Sequence, residues 1–169
     1  IFYTKESKSM KYFITLLLST ALLSFNANAA QGRAAIPNFV IDSSGFWTYI
    51  YLSNITDKDI EVEVDLYNMD GTMMQDNNSA TSGNVRLGPQ ALINNYTENG
   101  GNTASFTIGA HQTVSFQLAP GTYNQGHGFI RWKQEGTRRK AMLAHGRVYR
   151  GQSSREFAWS ISINGGKTF

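Results

Sequence analysis

Three aromatic residues, Trp47, Tyr49 and Tyr51, recur at every second position of the segment GFWTYIYLSN. On an extended strand that spacing puts their rings on one side. Flat rings with a hydrogen-bonding edge suit sugar faces and partner-protein surfaces, so the stripe is a candidate binding surface. A second candidate is cationic: Arg131, Lys133, Arg138, Arg139, Lys140 and Arg147 gather around one later segment. Such a set fits an anionic glycan, a lipid headgroup or an acidic partner. Each candidate has a structural alternative. The stripe is core if Thr48, Ile50 and Leu52, on the opposite side, face water instead. The cations pair across strands with Glu61, Glu63 and Asp65 if the segments are neighbours, and this pairing is the favoured reading.

Catalytic constellations do not assemble from the same inventory. There is no G-x-S-x-G elbow, and with no cysteine in the chain there is no thiol nucleophile. His111, His127 and His145 are widely separated, without an H-E-x-x-H run or a close pair to hold a metal. Carboxylates for glycoside hydrolysis would have to come from Asp42, Glu61, Glu63, Asp65 or Glu156. Of these, Glu61, Glu63 and Asp65 follow one another at strand steps of about 7 Å, which a solvated strand face explains without a mechanism. The expectation is a non-enzyme with no cofactor and no metal.

Binding groups need a scaffold, and the chain length bounds it. The 169 residues are enough for one domain. Residues 1–29 fall outside that domain. From Met10 the order is Lys11, an apolar run from Tyr12 to Phe25, then Asn26-Ala27-Asn28-Ala29-Ala30, the layout of a cleaved secretory signal helix. The apolar run is shorter than the roughly 20 residues that span a bilayer, so no membrane span is expected in the mature form. Cleavage after Ala29 leaves 30–169 as the domain. With no disulfides, this suits a bacterial periplasmic or extracellular protein.

Charge is segregated along the chain. The formal net charge of +3 conceals an acidic stretch before Gly121 and a basic one after it. From Ala30 there are three basic residues against nine acidic before Gly121, and nine against two after it. An acidic half of equal weight argues against a nucleic-acid partner.

The patterning is that of strands throughout. Ile60, Val62, Val64 and Leu66 alternate with Glu61, Glu63, Asp65 and Tyr67, so Gly45–Asp70 reads as an antiparallel hairpin about the polar connection ITDKD. Asn38 to Ile41 reads as a first edge strand. Residues 75–102, rich in Asn, Ser, Thr and Gly, read as a long polar loop or an extra hairpin. Ser105–Ile108 with Thr113–Leu118, and Gly128–Gln134 with Lys140–Arg150, read as two more strand pairs, and Phe157–Ile163 as a last strand. Seven or eight such strands make an all-β, immunoglobulin-like antiparallel β-sandwich the expected architecture, with a barrel second.

The segments TYIYLSNITDKDIEVEVDLYNMDG, FTIGAHQTVSFQL and LAHGRVYR resemble bacterial single-domain sandwiches of the sensory rhodopsin transducer type, and similar patterns occur in exported bacterial immunoglobulin-like domains. The resemblance covers Thr48 to Arg150, interrupted by 75–102. It matches a strand-ending Asn to Asn54 and a late His-x-Arg to His145 and Arg147. It implies a β-sandwich, tetrameric in that family, that works by binding. The export segment departs from a cytoplasmic transducer role. The candidate ligand-binding residues are therefore Trp47, Tyr49, Tyr51, Arg131, Lys133, His145 and Arg147. The expected function is an exported, non-catalytic domain that binds a partner protein or a surface glycan. The alternative is a self-assembling structural subunit of the envelope or matrix, a homo-oligomer joined through edge strands.

Overall fold

The computed structural model describes residues 29–42, 45–76, 84–89, 93–119, 124–152 and 155–169. The expected signal helix lies outside these residues, as does part of the 75–102 stretch. Eleven strands are assigned among the described residues: β1 (Ala29–Ile41), β2 (Phe46–Asn54), β3 (Ile60–Asn68), β4 (Gln75–Asp76), β5 (Asn84–Pro89), β6 (Asn94–Glu98), β7 (Ala104–Ile108), β8 (Thr113–Ala119), β9 (Asn124–Glu135), β10 (Met142–Gln152) and β11 (Arg155–Ser162). They form two sheets, the first ordered β1-β9-β3-β7-β6 and the second β11-β10-β2-β8-β5-β4. Every pairing is antiparallel except β4 with β5. The chain is an all-β sandwich, with more strands than the seven or eight expected because β4, β5 and β6 add edges from within 75–102.

The core is the set of inward residues from both sheets. Val62, Val64 and Leu66 of β3 and Ile130 and Trp132 of β9 face Ile50 and Leu52 of β2 and Phe116 of β8, all of them buried. Phe106 of the first sheet meets Phe116 of the second edge to face, with centroids 6.2 Å apart. Trp132 lies directly over Gly32, where a Cβ would stand 2.3 Å from the indole nitrogen. That nitrogen donates to the Phe169 carbonyl oxygen at 2.9 Å, satisfying the one polar group the ring carries inside.

Three expected hairpins are not hairpins. β2 pairs with β10 and β8, while β3 pairs with β9 and β7, so Gly45–Asp70 crosses from one sheet to the other. β7 and β8 are likewise split between the sheets, as are β9 and β10. The physical reason is that an arch and a hairpin share one sequence pattern, since both bury alternate residues of each arm. The connections decide between them. A tight hairpin wants a two-residue turn such as Asn-Gly, whereas ITDKD is long enough to bridge sheets about 10 Å apart.

Asn54 holds that arch. Buried at the end of β2, its side-chain amide donates to the carbonyls of Lys58 at 2.7 Å and Gly109 at 2.9 Å, and its oxygen accepts from the Thr56 backbone N–H at 2.9 Å. Gln134 of β9 adds a bond to the Thr56 hydroxyl at 2.6 Å. One side chain thus ties the β2–β3 arch to the β7–β8 arch. The first edge strand also runs further than expected, from Ala29 rather than Asn38. A register shift between Ile36 and Phe39 accommodates Pro37, which an edge strand tolerates.

Candidate functional site

The arch resolves which side of β2 is core. Thr48, Ile50 and Leu52 point inward and are fully buried, so Trp47, Tyr49 and Tyr51 lie on the outer face of the second sheet, each half-buried. Because β10 runs beside β2, its own outward residues fall opposite them: Trp47 faces Tyr149, Tyr49 faces Arg147 and Tyr51 faces His145. On the other flank, Gln117 and Ser115 of β8 lie opposite Tyr49 and Tyr51. Ser160 and Ser162 of β11 extend the rows of Arg147 and His145.

The rings are packed on one another. Trp47 and Tyr149 stack with centroids 5.6 Å apart and planes 8° from parallel, and Tyr51 and His145 stack at 4.7 Å and 8°. Tyr49 and Tyr51 follow along the strand at 6.4 Å. Gly151 makes room for the first pair: a Cβ there would meet Tyr149 at 3.1 Å and Trp47 at 3.3 Å. Mutual stacking fixes the rings before any ligand arrives, which lowers the ordering cost of binding. Apart from Leu143 and Ala158, the described side chains of this face are rings, hydroxyls, an amide, an imidazole and a guanidinium.

Arg131 and Lys133 belong to the opposite side of the molecule. They lie on the outer face of β9, where β3 supplies Glu61, Glu63 and Asp65 as neighbours. Lys133 meets Glu61 at 2.7 Å, and Arg131 meets Asp65 at 2.6 Å and Glu63 at 3.1 Å. Burial works against the charged form of Arg131, but the charge of Asp65 and the bonds to Glu63 and Asp65 outweigh it and raise its pKa. The hydrogen bond to Glu61, helped by that carboxylate's charge, raises the pKa of Lys133. A cleft of about 420 Å³ opens over this ladder between Gln31, Arg33, Glu63 and Lys133. Its lining carries three cations, Arg33, Arg131 and Lys133, and two acids, Glu61 and Glu63, with the buried Asp65 bonded to Arg131 behind them. Arg33 itself lies over the Phe129 ring at 3.8 Å.

The structure therefore brings together Trp47, Tyr49, Tyr51, His145 and Arg147 and sets Arg131 and Lys133 apart from them, in ion pairs. The histidines are also separated: His127 stacks on Tyr67 on the first sheet's outer side, His145 on Tyr51 on the second, and His111 sits in the β7–β8 connection. Among the described residues no group of three His, Cys, Asp or Glu side chains is placed to hold a metal ion. Tyr149, Gln117 and Ser115 were not among the sequence candidates. Tyr149 shares the alternation of His145 and Arg147, which is the signal that points to it. Gln117 and Ser115 depend on β8 lying beside β2, which the sequence does not reveal.

Fold and face together define a β-sandwich with an aromatic outer sheet surface. No family model matches the chain, and no curated protein matches it. Among solved structures, a comparison finds a Bacillus licheniformis lipase in its propeptide form at 8% identity and a TM-score of 0.15. The alignment covers 85% of this chain and 41% of the lipase, and a likeness at that level says nothing about fold or activity.

Proposed function

We propose that this chain is an exported, non-catalytic β-sandwich domain that binds a surface glycan on the outer face of its second sheet. Export rests on the Met10 to Ala30 pattern of basic, apolar and small residues. The observation that carries the binding reading is the ladder of rings, Trp47 on Tyr149 and Tyr51 on His145, with Tyr49 between. Rings supply stacking area, while Gln117, Ser160, Ser162 and the tyrosine hydroxyls supply hydrogen-bonding groups around it.

The test is a glycan array probed with the purified protein and with the Trp47→Ala/Tyr51→Ala double variant, whose fold is checked by circular dichroism. The protein should bind at least one glycan class, and the double variant should bind it at least tenfold more weakly, about 1.4 kcal/mol. Undiminished binding by the double variant, or no binding to any glycan, overturns the proposal.

A further inference from the structure

On the basis of that reading, we infer that the glycan is anionic and that Arg147 recognises its carboxylate or sulfate group. Arg147 stands in the middle of the ring ladder, in register with Tyr49 on one side and Ser160 on the other, and is exposed. Among the described residues it has neither an ion-pair nor a hydrogen-bond partner, and the described side chains of its face include no carboxylate. The other sheet is built differently. There Arg131 and Lys133, also on outward strand positions, each meet an acid at 2.7 Å or closer. On the first sheet Arg131 and Lys133 are ion-paired and Arg33 lies over the Phe129 ring, whereas among the described residues Arg147 stands among stacked rings without an acidic partner.

The chemistry of that opening is specific. A guanidinium is a planar fork of donors that matches two oxygens of a carboxylate or a sulfate at once, which a neutral hydroxyl cannot exploit. His145, two residues earlier on the same strand, lies on the same side about 7 Å away. Gln117 adds a neutral amide across Tyr49. A sugar ring lying against Tyr49 would have its substituents within reach of the guanidinium on one flank and the amide on the other. A uronic acid and a sulfated sugar share this chemistry, and the probes separate them.

Affinity electrophoresis of the purified protein through gels containing polygalacturonate, dextran sulfate or unsubstituted dextran tests the inference. The expected result is retardation by polygalacturonate, dextran sulfate or both, and none by dextran. Retardation by the first alone assigns a carboxylate, by the second alone a sulfate. Arg147→Met should weaken retention at least tenfold and Arg147→Lys by less, because a point charge keeps attraction but loses the fork. Lys133→Met, on the other sheet, should change nothing. Equal retention of wild type and Arg147→Met, equal retention by dextran, or equal weakening by Lys133→Met overturns the inference. If neutral glycans bind in a way that needs Trp47 and Tyr51 but not Arg147, this inference fails and the glycan-binding proposal stands. Binding to no glycan, charged or neutral, removes that proposal as well.

Discussion

Replacing Arg131 with Met tests what burial contributes to the ladder, because one of its partners is buried and the other is not. The Asp65 side chain is only 2% exposed and meets Arg131 through both carboxylate oxygens, at 2.6 and 3.1 Å. Glu63, bonded to the same guanidinium, is 41% exposed. Removing one partner of a fully buried pair costs about 3–5 kcal/mol, mostly because the other charge stays behind without compensation. Arg131 is itself 40% exposed, so water enters from its side and screens part of that loss. The expected destabilisation of Arg131→Met is therefore about 2–3 kcal/mol, and it should fall on Asp65 rather than Glu63. At this chain length it corresponds to a melting point lower by about 5–10 °C.

Urea titration followed by tryptophan fluorescence measures the effect, with Trp132 buried in the core between the sheets. The companion variants separate the contributions. Asp65→Asn combined with Arg131→Met removes both charges and should recover most of the loss, a coupling that only contacting residues show. Lys133→Met should leave the midpoint unchanged, since both it and Glu61 are more than half exposed. A small effect of Arg131→Met, or a Lys133→Met effect of the same size, would refute the reasoning that burial of Asp65 sets the magnitude.

Two further outcomes follow from buried polar groups. Asn54→Ala leaves the Thr56 N–H without its acceptor and takes one of the donors from the Lys58 and Gly109 carbonyls, which keep bonds from Thr56, Gln134 and Gln112, and should cost about 1–3 kcal/mol in the same urea titration, with little change in circular dichroism. Tyr96 has its pKa raised, first by burial and then by the hydrogen bond to Asp76 and that residue's negative charge. A raised folded-state pKa means its contribution is complete below the unfolded value of about 10 and declines as pH rises above it. The stability advantage of wild type over Tyr96→Phe should accordingly shrink between pH 9 and 11.5, and a constant difference would count against it.

What was legible was the inward and outward order of each strand. Ile60, Val62, Val64 and Leu66 are buried, and the pairing of Arg131 and Lys133 with Glu61, Glu63 and Asp65 follows from charge placed at the same two-residue spacing. Strand partnership was not legible, because alternation is identical whether a strand turns back within its sheet or crosses to the other. That left the side of β2 carrying Trp47 undecided. It also hid Gln117 and Ser115, which reach the ring ladder only through β8. Asn54 was visible as a strand-ending residue, but its bonds to Lys58 and Gly109 join two arches that lie far apart in sequence.

The crossings sort the chemistry as well as the strands. Had Gly45–Asp70 closed as a hairpin, the stripe of Trp47, Tyr49 and Tyr51 would share a sheet with Glu61, Glu63 and Asp65. Had β9 and β10 paired, Arg131 and Lys133 would lie beside His145 and Arg147. Instead each arm goes to a different sheet, so the acids of β3 meet the bases of β9, while the rings of β2 meet the imidazole and guanidinium of β10. β2 has no carboxylate to offer Arg147, and β3 has one within reach of each of the two β9 cations. An ion-paired ladder on one surface and, on the other, an Arg147 without an acidic partner among the described residues are thus consequences of one topological choice, made in connections such as ITDKD.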